Sequence, residues 1–151
     1  MVFILPLVSC MISSGIGLVL GQISGKRKDN RIKKEGRKVI ETELHAVKEI
    51  VHRIDSSFVD AVKLIYNSKG RVVFTGMGKS GLIARKIVAT MNSTGTAAIY
   101  MHPTDALHGD LGMVRKEDIV ILLSKSGSTE ELLSLVPMIK RIGALIIGFL
   151  G

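Results

Sequence analysis

From Arg71 to the last residue, runs of continuous apolar side chains alternate with amphipathic stretches, and this alternation restricts the fold more than any other feature of the 151-residue chain. Arg71 to Thr75, Ala97 to Met101, Ile119 to Ser124 and Ala144 to Phe149 read as strands, while Ser80 to Met91 and Glu130 to Ile142, closed by Gly143, read as helices. Strands that are apolar throughout have no solvent face, so they belong to a parallel sheet covered by helices on both sides. The expected class is α/β, an open parallel sheet, and its order is supposed to be 2-1-3-4. In that order strands one and three are neighbours and their following helices lie on opposite faces. The crevice between their C-terminal ends is then the topological switch point, where such sheets bind ligands.

Both loops that open onto this crevice carry the chemistry of an anion site. The first strand runs into Gly76-Met77-Gly78-Lys79-Ser80-Gly81 and a helix follows at once, so glycines permit a tight turn and the helix N-terminus offers amide donors. A nicotinamide cofactor would also want an acid at the end of the second strand, where Ile99, Tyr100, Met101 and His102 stand instead. A nucleotide-triphosphatase loop fails because Val73 occupies the position of its first glycine. The third strand ends in Ser124-Lys125-Ser126-Gly127-Ser128-Thr129-Glu130-Glu131, again directly before a helix. One hydroxyl there is expected as a helix cap; four exceed what a cap uses and favour a ligand. Ser80, Ser126 and Thr129 are the phosphate contacts this loop argument selects, with Ser124 and Ser128 beside them.

The N-terminal part has a different composition. Residues 1 to 25 contain no charged side chain, and the 22 residues from Val2 to Ile23 would reach roughly 33 Å as a helix, enough to cross a bilayer core. That segment is either a membrane helix, with the rest of the chain in the cytoplasm by the positive-inside rule, or an N-terminal extension. Residues Lys26 to Lys38 hold eight basic and two acidic residues, so most of the net charge of +8 is local and the case for nucleic acid falls away. A single Cys10 excludes an intrachain disulfide and a cysteine-based zinc site. Between Arg31 and Asn67, Ile40, Leu44, Val47, Val51, Ile54 and Phe58 recur at helical spacing, and Asp55-Ser56-Ser57 divides the region into two helices. His45 and His52 read as solvent-edge helix residues.

Taken together, Gly76-Met77-Gly78-Lys79-Ser80-Gly81, Ser93-Thr94-Gly95-Thr96, His102-Pro103, His108-Gly109-Asp110-Leu111-Gly112-Met113-Val114 and Ser124-Lys125-Ser126-Gly127 resemble, in order and spacing, the sugar isomerase (SIS) domain of the D-arabinose 5-phosphate isomerases. The resemblance covers roughly residues 31 to 151. It implies a flavodoxin-like domain, preceded by N-terminal helices, that interconverts D-ribulose 5-phosphate and D-arabinose 5-phosphate through an enediol, toward the octulosonic sugar of lipopolysaccharide. By position, Lys79, His108 and Glu131 match residues with catalytic roles. Gly95, Thr96, His102, His108 and the start of the helix after the Ser/Thr loop, to which Ser134 belongs, match substrate-binding positions. His102 also matches a metal-contacting position, although enediol isomerisation requires no cofactor, and a divalent metal here is expected to be non-essential.

Composition and the resemblance together divide the chain into residues 1–25, an apolar segment on which it departs from the family; 26–70, a basic run and helical lead-in; and 71–151, a partial SIS domain. Measured against the family, a fifth strand, further helices, a second Glu, a His and a pair of CBS modules are missing after Gly151. The expected partners are a sugar phosphate and further copies of the chain, forming a homo-oligomer, with no nucleic acid and with membrane association through residues 1–25 as the alternative. The expected location is cytoplasmic. A non-catalytic module that senses sugar phosphates is the alternative function.

Overall fold

A computed structural model describes residues 26–151, so the apolar segment, with its candidate membrane helix, lies outside the described residues. Among the described residues no helix is long and apolar enough to cross a membrane. Two compact units divide the chain at Phe58 and Val59.

In the first unit, α1 (Lys26–Val51) carries the apolar stripe read from the sequence, with Ile40, Leu44 and Val51 exposed. His45 and His52 are placed on the same stretch of chain, and His52 is exposed. The break before α2 (Ser56–Asn67) is an N-cap built by Asp55, whose carboxylate accepts the Ser57 N–H at 2.9 Å, the Phe58 N–H at 3.2 Å and the Ser57 hydroxyl. The Ser57 hydroxyl, helped by the Phe58 amide, holds the Asp55 carboxyl below its ordinary pKa.

The second unit is built on four parallel strands, β1 (Val72–Gly76), β2 (Ala98–Tyr100), β3 (Ile119–Ser124) and β4 (Leu145–Leu150), in the order β2-β1-β3-β4. Val73 pairs with Ile99 on one side and Val120 on the other, and Val120 pairs with Ile146. The crossovers are α3 (Gly78–Ser93), a short α4 (Pro103–Leu107) with a 3-10 turn (Asp110–Met113), and α5 (Glu130–Ile142), which Gly143 ends with φ 89°. Strand and helix spans agree with the sequence reading to within two residues, and β3 and α5 agree at both ends. Every residue of β1 is buried. Val73, Val120, Met101, Ala106, Leu111, Leu132, Leu135 and Ile139 form one packed core against α4 and α5. Small residues Gly81 and Ala84 let α3 close on the other face. β4 is the exposed edge among the described strands, with Leu145 and Leu150 open to solvent.

The end of the sheet where the strands begin is held by one carboxylate. Asp118, 1% exposed, accepts the Arg71 N–H at 2.8 Å, the Arg71 guanidinium at 3.0 Å and the Arg115 N–H at 3.0 Å, tying the start of β1 to the start of β3. Burial pushes the Asp118 pKa up, but the Arg71 guanidinium and the Arg115 and Arg71 amides outweigh it and leave the carboxyl below its ordinary value. A lowered folded-state pKa contributes stability above about pH 4, which is lost as the pH falls through the folded-state value. Asp118→Asn turns an amide NH₂ toward donors that need an acceptor, and should cost about 2 kcal/mol near neutral pH. Thermal melts of both proteins from pH 7 to pH 3 should show the gap narrowing below about pH 4. A gap independent of pH would exclude the charged clamp.

Candidate functional site at the sheet switch point

The first loop leaves β1 at Gly76, and α3 starts two residues later with Met77 as its N-cap and no side chain capping it. First-turn amides of a helix have no intrahelical acceptor, so this end is open to an anion. Ser80 is half-buried in that first turn, and Lys79 beside it is exposed.

The second loop leaves β3 at Ser124, which is buried at the strand end. Its hydroxyl accepts the Gly127 N–H at 3.0 Å and lies 3.3 Å from the Thr129 hydroxyl. Thr129 is the N-cap residue of α5 by position, yet its side chain makes no capping bond. The Ser126 hydroxyl accepts from the Ser128 N–H at 3.3 Å and from the Ser128 hydroxyl at 3.0 Å. Helix capping therefore does not account for these hydroxyls. They hold one another and the loop, and Ser124, Ser126 and Thr129 reach the space between the loops.

That space is a cleft of about 360 Å³. Met77 and Ser80 line it from the β1 side, and Leu123, Ser124, Lys125, Ser126 and Thr129 from the β3 side. The two loops thus share one cavity at the switch point, as the strand order requires. Lys125 is a cation that the sequence reading quoted within the motif but did not single out. Its position within the hydroxyl run, between Ser124 and Ser126, was the available signal.

The other predicted residues sit outside the cleft lining. Glu131 is half-buried in the first turn of α5, where the helix dipole favours a carboxylate, and Ser134 is exposed one turn further on. Ser128 is exposed at the loop surface. His102 is the N-cap of α4 beyond β2, with its ring Nδ1 accepting the Thr104 N–H at 3.3 Å. His108 is exposed at the other end of the same helix. Gly95 and Thr96 lie in the turn between α3 and β2, at the opposite end of the sheet, because the adjoining Ala97 carbonyl accepts the Val72 N–H where β1 begins.

His102 Nδ1 is already taken as the acceptor of the Thr104 N–H. Among the described residues no group of three or more His, Cys, Asp or Glu could hold an ion.

On the β2 side, Tyr100 was missed by sequence reasoning. Its hydroxyl donates to the Gly76 carbonyl at 2.9 Å, its ring meets that of His102 edge-on at 6.4 Å, and the Arg85 guanidinium stacks 4.2 Å from its centroid. Burial raises the phenol pKa, Arg85 opposes the rise and Asp105 adds to it, so the hydroxyl keeps its proton.

The fold and the cleft define a class, an open parallel α/β domain with a cleft between two loops at its switch point. The chain belongs to the SIS domain family, which matches residues 64–150. It is 48% identical over 114 residues to the arabinose 5-phosphate isomerase KdsD of Pseudomonas aeruginosa, covering 76% of this chain and 35% of that protein. It is similarly 48% identical over 103 residues to the arabinose 5-phosphate isomerase KpsF of Escherichia coli O6:H1, covering 68% of this chain and 32% of that one. The chain thus spans about a third of the length of these relatives. Among solved structures, an Escherichia coli CFT073 protein in complex with arabinose 5-phosphate superposes with TM-score 0.74 at 42% identity, over 84% of this chain and 66% of that one.

Proposed function

We propose that this chain supplies the phosphate-binding half of an aldose-ketose isomerase site acting on D-arabinose 5-phosphate and D-ribulose 5-phosphate. The cleft carries this reading. It presents Ser80, Ser124, Ser126, Thr129 and Lys125 between two helix N-termini, in a volume suited to a phosphate and part of a pentose. The similarity to relatives named arabinose 5-phosphate isomerases, and to a structure solved with the sugar phosphate bound, supports the choice of sugar.

In this reading the bound phosphate orients the chain of the sugar so that C1 and C2 lie over the first turn of α5. Glu131 removes the C2 proton of the aldose, giving an enediolate, and the proton returns at C1 as the charge on oxygen is neutralised. Lys79 stabilises the enediolate oxygen, and His108 moves a proton between the hydroxyls. Gly95, Thr96, His102 and Ser134 contact substrate in this proposal on the strength of the family resemblance. A cytoplasmic location and a homo-oligomeric assembly, which would let Gly95 and Thr96 meet the site of another copy, belong to the same reading.

A binding module without turnover is the second reading, and one observation favours it: Lys79, His108 and Glu131 do not line the cleft of this chain. Calorimetry with the purified protein tests what the two readings share. D-Arabinose 5-phosphate and D-ribulose 5-phosphate should release heat at a common site, unphosphorylated D-arabinose should not, and Ser124→Ala should weaken both phosphates about tenfold. Absence of binding by either sugar phosphate overturns both readings.

A further inference from the structure

The first loop needs something to fix its last strand carbonyl, and Tyr100 occupies that place. Along β1 the Phe74 carbonyl accepts the Met101 N–H of the β2 segment at 2.9 Å, so it points toward β2. Carbonyls alternate along a strand, and the Gly76 carbonyl points the same way. At that level the main chain of the β2 segment has turned into His102 and Pro103, and Pro103 has no N–H to offer. The Tyr100 hydroxyl takes the vacant role, donating to the Gly76 oxygen at 2.9 Å.

Two contacts hold the phenol in position. Arg85 covers one face of its ring at 4.2 Å, and the edge-on His102 ring lies 6.4 Å away. The absence of a side chain at Gly81 is the third condition. A Cβ there would stand 2.7 Å from the Tyr100 oxygen and 2.6 Å from the Gly76 oxygen.

In a trans peptide the C=O and the following N–H point in opposite directions. A Gly76 carbonyl tied to the β2 side therefore aims the Met77 N–H toward β3, across the cleft that Met77 lines from the β1 side. We propose that Tyr100 is a positioning residue that locks the Gly76-Met77 peptide so that the Met77 N–H serves as an anion donor in the cleft. Tyr100 itself stays outside the cleft, so it touches no ligand and acts only through the loop. This inference rests on the phosphate-binding reading of the cleft.

The test uses Tyr100→Phe, which keeps the ring and its Arg85 stack and removes only the hydroxyl. Binding of inorganic phosphate and of D-arabinose 5-phosphate is measured by calorimetry well below the melting temperature, and the Met77 amide is followed by nitrogen-proton correlation spectra. The expected result is about three- to tenfold weaker binding of both ligands. The Met77 amide should also shift on phosphate addition in the parent protein and shift less in the variant. A purely structural role predicts a lower melting temperature with unchanged affinity in the folded protein, and that outcome overturns the proposal. Arg85→Ala, on the exposed face of α3, should reproduce the effect in part; full parent affinity in both variants also overturns it. Failure of the parent protein to bind phosphate would instead overturn the reading of the cleft itself, so the two failures are distinguishable.

Discussion

Under the proposed isomerase reading, Glu131→Gln should lower interconversion of D-arabinose 5-phosphate and D-ribulose 5-phosphate by about 10²- to 10⁴-fold, the range removed with a general base. The substitution keeps the shape of the side chain and one carbonyl acceptor, so what it deletes is basicity. Glu131 also sits where the α5 dipole favours a negative charge, and losing that costs only about 0.3–1 kcal/mol, with Glu130 next to it still charged. A dipole role alone thus predicts a slightly lower melting temperature and unchanged turnover. A catalytic role predicts the same small stability change together with lost turnover, with sugar phosphate affinity within about threefold of the parent because the cleft hydroxyls are untouched. Turnover of the variant within about threefold of the parent would remove Glu131 as the base. Binding without turnover in the parent would favour the module reading.

Gly81→Ala should be strongly disruptive for a single added methyl group. The added carbon meets the Gly76 carbonyl oxygen at 2.6 Å and the Tyr100 hydroxyl at 2.7 Å. Neither can retreat easily, since Gly76 is paired with Leu123 of β3 and the Tyr100 ring lies under Arg85. Relief requires α3 to move off the sheet, and Gly81 and Ala84 are the two residues it buries there. Overpacking of this kind costs roughly 3 kcal/mol. The same movement displaces the α3 N-terminus from the cleft, so phosphate affinity should fall about tenfold or more. Chemical denaturation together with calorimetry measures both. Parent-like stability in Gly81→Ala would mean that the close approach of loop, phenol and helix is not present in solution.

Much of this architecture was legible because β3 and α5 carry their own boundaries. Ile119 to Leu123 is uninterrupted and apolar, Thr129 precedes the first helical residue, and Gly143 provides the left-handed stop. Once the order 2-1-3-4 is supposed, as the family resemblance implies, the sharing of one crevice by both loops follows from the rules for parallel sheets. Other features depend on contacts distant in sequence. The short α4 and the 3-10 turn have too few residues for a periodic signal, and they are held because Met101, Ala106 and Leu111 drop into the core. Tyr100 looked like one more strand residue, because its bond to Gly76 spans 24 positions. The four hydroxyls from the end of β3 onward left capping and ligand binding as alternatives in the sequence; Thr129, the N-cap residue by position, turns to Ser124 instead of its own helix.

The Asp118 clamp and the cleft lie at opposite ends of the same strands. β1 and β3 are tied together at their first residues by a carboxylate and diverge at their last into the loops that face the cleft. Substitutions at one end share no partner with the other, and their effects should add. Such a chain has latitude to drift in ligand preference: loop changes that reduce stability can be compensated by tightening the far end, without any residue of the cleft having to change back.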